Sequence, residues 1–193
     1  MSRKQRKKQK NKGQYRSSAG LRAWWQNKHP ILLFILVFSL LILLFYILIN
    51  LSFFKTYMHP QLISLNAAIS GFILNVLGQN VAINGSVISS AQFSIDIKLG
   101  CDALEPMALF NAVVLAYPAS ISKKGVGIVC ATFLLFSANI VRIVSLYFAG
   151  IYNQWLFDVM HETIWQFLFI LFAISLCAYW INWVNAKQSS DGH

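Results

Sequence analysis

Three residues of the sequence could together supply a nucleophile, a cation and a titratable base: Cys101, Arg142 and His161. A thiolate can attack a peptide carbonyl, an imidazole can carry the proton to the leaving amine, and a guanidinium can stabilise the developing negative charge. This combination suits acyl transfer, and we assign those roles to Cys101, His161 and Arg142 respectively. The assignment requires three residues that are distant in the sequence to meet at one surface.

Cys101 differs from the other two cysteines in its surroundings. Cys130 and Cys177 fall within long apolar segments, where a thiol normally packs as a small apolar side chain. Cys101 instead lies at the predicted mouth of a helix, and neither of the other cysteines is predicted to share its side of the membrane and pair with it. Cys101 is therefore the candidate nucleophile, and the alternative is a free thiol of no consequence.

The residues that follow Cys101 predict the start of a helix. Asp102 can cap it, and Pro106 is tolerated in a first turn. Main-chain N–H groups at that start would lower the pKa of the Cys101 thiol. Lys98 would help, whereas Asp102 and Glu105 would oppose this effect if they face the sulfur. We class Asp102 and Glu105 as supporting or substrate-binding residues.

Arg142 is the only charged residue in the apolar segment 126–148. At ~1.5 Å per residue it lies about 9 Å inside the outer end of the predicted helix. A guanidinium at the centre of a bilayer costs at least ~2.5 kcal/mol, so Arg142 should face protein or water. Asn139 and Ser145 share its helix face, and Asn139 is predicted to orient it. The alternative is an arginine that snorkels to the head groups.

His161 precedes the last apolar segment, beside Asp158 and Glu162. A lone histidine at a membrane boundary is more often interfacial than catalytic, but the predicted topology brings this one to the side of Cys101 and Arg142. The scattered carboxylates show no metal-ligand spacing, and the sequence contains no phosphate-binding or dinucleotide motif. No metal and no cofactor are predicted.

The composition excludes an ordinary water-soluble domain. Of the 193 residues, 57% are hydrophobic and 11% are charged, and the apolar residues form long runs. The net charge of +10 is concentrated at the start, because ten of the 16 Lys and Arg residues lie between Arg3 and Lys28. A basic segment before a membrane helix typically fixes topology and touches anionic lipid, so membrane lipids rather than nucleic acid are the predicted partners.

Four segments are predicted to cross the membrane, and their bounds are 31–49, 103–121, 126–148 and 164–184. The first is too long for a signal peptide and is predicted to be a retained anchor. The polar residues in 57–78 favour an interfacial or re-entrant outer helix, although a full crossing would make a fifth. The predicted fold class is an all-α integral membrane protein with four transmembrane helices, or five, and a small outer β-hairpin or flap.

The basic residues at the helix junctions predict sidedness. Lys123 and Lys124 occupy the turn between the second and third crossings, and Lys187 follows the fourth, so both places are predicted to be cytoplasmic. The N-terminus is then cytoplasmic as well, and the three candidate catalytic residues lie at the outer face.

The predicted organisation has three parts. Residues 1–28 form a basic, disordered cytoplasmic tail, residues 29–186 a membrane domain, and residues 187–193 a second cytoplasmic tail. Within the membrane domain, Ile95 and Ile97 alternate with polar residues, and Asn84-Gly85 is a strong turn dipeptide. These patterns predict a β flap at about 79–100 that leads into Cys101.

Three motifs carry a resemblance to a known family. They are GCDALEPMALF from Gly100, NIVRIVSL from Asn139 and HETIWQF from His161. Together with their spacing they cover about half of the chain, and they resemble the exosortase and archaeosortase group of membrane sorting enzymes. The short length and the CDALE form look most like the exosortase H type. Many members have more crossings than are predicted here, and Asp102-Ala103 replaces the usual small residues after the cysteine.

The resemblance implies a multi-pass cysteine transpeptidase or protease in the cytoplasmic (inner) membrane, with its active site on the outer (periplasmic) face. Its partners would be membrane-anchored protein substrates that carry a C-terminal sorting signal, made of a short motif, a hydrophobic helix and a basic cluster. The family's expected cysteine, arginine and histidine fall on Cys101, Arg142 and His161.

Two other functions remain open at the level of sequence. In a non-enzymatic membrane scaffold or assembly factor for exported proteins, Arg142 and Asn139 would only lock helix packing. In a thiol-disulfide relay, Cys101 would need a resolving cysteine, and none is predicted on the outer side.

Overall fold

The computed structural model describes residues 29–98 and 100–190, with side chains described as far as Ala186. The chain divides into two units, Met1–Leu40 and Leu41–His193. The predicted tail 1–28 and the last three residues of the predicted tail 187–193 lie outside the described residues. All of the candidate catalytic residues belong to the second unit.

Three helical segments of the described chain are long and apolar enough to cross a membrane: His29–Asn50, Ile121–Tyr152 and Gln154–Ala186. The first is α1 and the second is α4. The third combines a short helix α5 (Gln154–Val159), a π-helical turn (Met160–Ile164) and most of α6 (Trp165–Ser190). The predicted all-α, multi-pass membrane fold is confirmed, with three such helices among the described residues.

The segment 103–121, predicted to cross the membrane, contains a helix shorter than the predicted span. Helix α3 (Leu104–Ala116) has 13 residues, which at ~1.5 Å per residue span about 20 Å. It ends because Tyr117 adopts an extended conformation, with φ −71° and ψ 138°, ahead of Pro118, and a residue before proline is disfavoured in a helix. Helix α4 begins four residues after Tyr117, so its first turn lies earlier than the predicted span.

The segment predicted to be interfacial or re-entrant contains helix α2 (His59–Val76), preceded by a π-helical turn (Phe54–Met58). Pro60 occupies its first turn, where a missing N–H is tolerated. Helix α2 buries its polar residues Asn66 and Ser70 and packs against α4 and the flap. This polar face therefore forms part of the interior, where the Asn66 side chain is hydrogen-bonded and the buried Ser70 hydroxyl has no partner among the described residues.

The predicted flap is confirmed as a three-stranded antiparallel sheet. Its strands are β1 (Ala82–Asn84), β2 (Val87–Ser89) and β3 (Ser94–Asp96), in the order β1-β2-β3. Ile88 pairs with Ile83 on one side and with Ile95 on the other. The predicted alternation is present too, because Ile95 and Ile97 are buried whereas the polar residues between and beside them are exposed.

Two apolar clusters form the core of the second unit. One lies between the flap, α2 and α4 and includes Leu74, Ile88, Ile95, Ile143 and Tyr147. The other lies between α3, α4 and α6 and includes Phe110, Leu135, Phe169, Trp180 and Val184. Between them, these clusters fix the beginning of α3, the last third of α4 and the beginning of α6 relative to one another.

The two ends of this bundle differ in their polar contacts. At one end, Trp180 Nε1 donates to the carbonyl of Lys123 over 3.2 Å, and Tyr117 Oη donates to Asn185 Oδ1 over 2.9 Å. The turn between α3 and α4 therefore lies beside the end of α6. Cys101, which precedes α3, lies at the opposite end of the bundle, beside His161.

Candidate active site

Cys101 is held in a tight turn between the flap and α3. Its N–H donates to the carbonyl of Lys98 over 3.0 Å, and the turn places Gly100 at φ 91° and Ala103 at φ 61°. Both values lie in the left-handed region, which suits glycine and costs alanine free energy. The turn ends at Leu104, the first residue of α3, whose N–H donates to Asp102 Oδ1 over 3.1 Å.

The three candidate catalytic side chains meet around the sulfur of this turn. Cys101 Sγ lies 3.0 Å from His161 Nε2. Arg142 Nη2 lies 3.9 Å from the same sulfur, and Arg142 Nη1 donates to the carbonyl of Gly100 over 3.3 Å. The beginning of α3, the last third of α4 and the π-helical turn before α6 thus each deliver one of the residues.

His161 is oriented by a neighbouring aromatic ring. The ring of Phe157, from α5, stacks on the imidazole with the centroids 5.6 Å apart and the planes 9° apart. Phe157 in turn packs against Phe93 of the flap, at a centroid distance of 5.6 Å. The plane of the imidazole is therefore fixed by α5 and indirectly by the flap.

Arg142 is 7% exposed and has protein on all sides. Its guanidinium carbon lies 5.6 Å from the centre of the Phe169 ring, a cation-π contact. Ser145 Oγ donates to the carbonyl of Arg142 over 2.8 Å and accepts from Trp165 Nε1 over 2.9 Å. The buried Nε of Arg142 has no hydrogen-bond partner among the described residues. These contacts place it in the protein interior rather than among lipid head groups.

Burial dominates the ionisation of the Cys101 thiol. It raises the pKa of the Cys101 thiol, against the lowering effects of the Arg142 charge and of a hydrogen bond from the Lys98 main chain, while Asp102 raises the pKa further. The predicted net lowering of this pKa is wrong, because removal from water outweighs the positive groups. The raised pKa favours the neutral thiol, so a base beside the sulfur would assist its attack on a carbonyl.

The family model described as transmembrane exosortase (Exosortase_EpsH) matches residues 25–181. The chain belongs to the exosortase family. The matched range contains every residue of the candidate site and all three sequence motifs, whereas the resemblance to the exosortase H type rests on the CDALE form and the short length. No curated protein and no solved structure matches this exosortase.

Asn139 makes its hydrogen bonds to residues other than the arginine that it was predicted to orient. Its side-chain amide donates to the carbonyl of Cys101 over 2.9 Å and to Asn66 Oδ1 over 3.0 Å. No hydrogen bond joins Asn139 to Arg142 within the described chain. In this exosortase Asn139 instead connects the Cys101 turn to α2 through Asn66. The polarity of Asn66 was visible in the sequence, but no pattern linked it to the site.

Asp102 has a partner that the sequence analysis missed. His59 Nε2 lies 3.1 Å from Asp102 Oδ2, and both side chains are buried. His59 is the first residue of α2 and lies 43 positions away in the sequence, and no motif or period linked it to Cys101. Glu105, grouped with Asp102 in the sequence analysis, is exposed and makes no hydrogen bond or ion pair with any described residue.

The remaining thiols lie apart from this site. Cys130 is exposed on the surface of α4, Cys177 is partly buried in α6, and both are free, as is Cys101. Within the described ranges, no three His, Cys, Asp or Glu side chains cluster as metal ligands would. The chemistry that this exosortase's site can support is that of a thiol, an imidazole and a guanidinium.

Proposed function

We propose that this exosortase is a cysteine transpeptidase or protease that processes the C-terminal sorting signal of exported proteins at the outer face of the cytoplasmic membrane. The observation that carries the proposal is the 3.0 Å contact between Cys101 Sγ and His161 Nε2, with Arg142 Nη2 at 3.9 Å from the same sulfur. Nucleophile, base and cation at these distances suit the cleavage of a peptide bond.

In the first half of the reaction, His161 Nε2 takes the proton of the Cys101 thiol as the sulfur attacks the scissile carbonyl carbon. The carbonyl oxygen becomes an oxyanion. When the intermediate collapses, the carbon–nitrogen bond breaks, the imidazolium gives its proton to the leaving amine, and the substrate's acyl group remains on Cys101 as a thioester.

Arg142 is suited to stabilise the oxyanion. It is buried, and no carboxylate lies within 4.0 Å of its guanidinium among the described residues. Its charge is therefore not neutralised by the protein in the resting state. Removal from water strengthens its attraction to an oxyanion that forms beside the sulfur.

In the second half of the reaction, His161 acts as base for the acceptor. An amine or a water molecule attacks the thioester carbonyl, the imidazole takes its proton, and the thiolate leaves and is reprotonated. An amine acceptor gives transpeptidation and water gives proteolysis. The same three side chains serve both outcomes.

An apolar groove beside the site supports a membrane-anchored substrate. It has a volume of about 240 Å³ and is lined by Ala138, Trp165, Leu168, Phe169 and Phe172. Phe169 also contacts the guanidinium of Arg142, so the groove and the site are adjacent. A hydrophobic segment of a substrate that lay in this groove would hold the neighbouring peptide near the sulfur.

The test compares intact substrates in cells that carry Cys101→Ala, Cys101→Ser or Cys130→Ala as the control, each at normal protein level. We expect proteins with a C-terminal sorting signal to keep their full mass in both Cys101 variants and to be shortened in the control. If both Cys101 variants process these proteins normally, while Arg142→Ala lowers protein level or changes the oligomeric state, the protein is instead the scaffold considered above.

A further inference from the structure

The hydrogen bonds of the flap show which way each main-chain group of β3 points. Ser90 N–H donates to the carbonyl of Phe93, and Ile97 N–H donates to the carbonyl of Ser86. In an antiparallel pair such bonds fall on alternate residues, so Phe93, Ile95 and Ile97 face β2. The main-chain groups of Ser94, Asp96 and Lys98 therefore point away from the sheet.

The edge of the sheet formed by β1 is in contact with α2. Val81, which precedes β1, has its main chain directed outward by the same alternation, and its N–H and carbonyl are both taken by the side chain of Asn75, at 2.7 and 3.2 Å. Ile83, the next outward-facing residue, lies over Gly71 of α2. Helix α2 thus occupies this edge through the Asn75 side chain and the contact of Gly71 with Ile83, although the three residues of β1 are themselves exposed, and such contacts help to protect an edge strand.

The edge formed by β3 is open. Ser94, Asp96 and Lys98 are exposed, and no strand pairs with β3 on that side among the described residues. Of their outward main-chain groups, the carbonyl of Lys98 accepts the N–H of Cys101, and no described main-chain group bonds to those of Ser94 and Asp96. Such an edge is a template for another extended chain.

The open edge ends at the nucleophile. Lys98, the last of the three outward-facing residues, accepts the N–H of Cys101 at its main-chain carbonyl over 3.0 Å, so the edge leads directly into the turn that carries the sulfur. A peptide paired with Ser94 and Asp96 and continued by one more pair of residues, about 7 Å along the strand, would reach Lys98 and with it the turn that carries the Cys101 sulfur.

We propose that an extended stretch of the substrate polypeptide adds to the free edge of β3 as a fourth strand, which delivers its scissile bond to Cys101. This inference rests on the proposed function and describes how the same site would bind its substrate. Pairing through main-chain groups tolerates different side chains, so an edge of this kind suits an enzyme that accepts several proteins.

The first test removes one outward N–H. Asp96→Pro lacks the donor but leaves the hydrogen bonds of Ile95 and Ile97 to β2, and proline is tolerated at an edge where its nitrogen faces outward. Asp96→Ala is the comparator, because it loses the same carboxylate and keeps the N–H. We expect processing of the precursors that depend on Cys101 to be at least about fivefold slower in the proline variant than in the alanine variant.

The second test places a photo-crosslinking side chain in the full chain with Cys101→Ala, in which uncleaved precursor accumulates. At Ser94, on the open edge, we expect a covalent adduct with the precursor. At Ala82, on the edge that contacts α2, we expect none. This test does not depend on the fold of a proline variant, and the rate at which iodoacetamide modifies Cys101 reports whether Asp96→Pro preserves the turn.

The outcomes separate the two proposals. Equal processing by the two Asp96 variants, or adducts of equal yield from Ser94 and Ala82, would overturn strand addition while loss of processing in Cys101→Ala still supports the enzyme. Normal processing in Cys101→Ala would overturn both. Slow processing in Asp96→Pro with normal iodoacetamide reactivity, together with adducts from Ser94 alone, supports strand addition.

Discussion

His59 Nε2 lies 3.1 Å from Asp102 Oδ2, and this buried pair joins the first residue of α2 to the residue that follows the nucleophile. The other carboxylate oxygen of Asp102 accepts the N–H of Leu104. Asp102 therefore holds the Cys101 turn from both sides, to α2 and to α3. Both contacts are made away from water, where loss of one partner leaves the other uncompensated.

We expect His59→Ala to destabilise the protein by about 3 kcal/mol, because the Asp102 carboxylate would stay buried without its ring partner. The measurement is thermal unfolding of the purified protein in detergent. Asp102→Asn, which keeps an oxygen for the Leu104 N–H, should cost less than His59→Ala. His29→Ala, at an exposed position of α1, is the control, and a melting temperature for His59→Ala equal to this control would contradict the prediction.

A glycine on α4 is expected to be essential for the position of the flap. A Cβ at Gly150 would overlap the ring of Phe93, so Gly150→Ala should displace the flap, destabilise the protein by about 1–3 kcal/mol and slow processing. Gly125 is the matched control on the same helix, since a Cβ there meets nothing within 4 Å. Gly125→Ala should stabilise α4 by up to about 1 kcal/mol. Similar effects of the two substitutions on unfolding would refute this reasoning.

The stacked ring of Phe157 should matter for catalysis through His161. We expect Phe157→Leu to slow processing about tenfold, because the imidazole would lose the surface that fixes its plane, and a misplaced base lowers the rate of proton transfer. The measurement is the rate of substrate shortening at equal protein level. Trp155→Leu is the control, since Trp155 lies on the same short helix and is 69% exposed. A Phe157→Leu variant as fast as Trp155→Leu would show that the stack is dispensable.

The raised pKa of Cys101 predicts how its reactivity depends on pH. In a chain with Cys130→Ala and Cys177→Ala, the rate of alkylation should keep rising above pH ~8.5, the ordinary pKa of a thiol, because burial holds the thiol protonated to higher pH. Arg142→Gln should move the profile to still higher pH, since the guanidinium favours the thiolate.

The control for this profile is Lys55→Gln, which removes an exposed cation that bonds to Asn50. Its profile should match that of the parent chain. A rate that levels off below pH ~8.5 would mean that burial does not dominate the ionisation of Cys101.

Much of the architecture could be predicted from the sequence, because length and hydropathy determine the long helices and a period of two determines the flap. The apolar run at 103–121 predicted a helix longer than α3. Pro118 ends α3 through its local effect on the backbone of Tyr117, and a hydropathy pattern does not contain that effect. The meeting of Cys101, Arg142 and His161 followed from the order of the crossings, because consecutive helix ends must return to the same side.

The hydrogen-bond partners of the site residues could not be predicted from the sequence, for a different reason. His59 and Asn66 reach the site only because α2 packs along α4, and α2 carries no motif that links it to Cys101. One signal was available in the spacing of Asn66 and Ser70, which puts two polar side chains on one helix face. That pattern predicts a polar interior contact for α2, although it does not say with which helix.

The double hydrogen bond of Asn139 has a pharmacological consequence. One amide group grips both Asn66 and the carbonyl of the nucleophile, so α2 cannot part from α4 without loosening the thiol. Under the proposed function, a lipophilic small molecule that separated α2 from α4 would inhibit processing. Such an inhibitor would require no reactive warhead and no access to the substrate's own pocket.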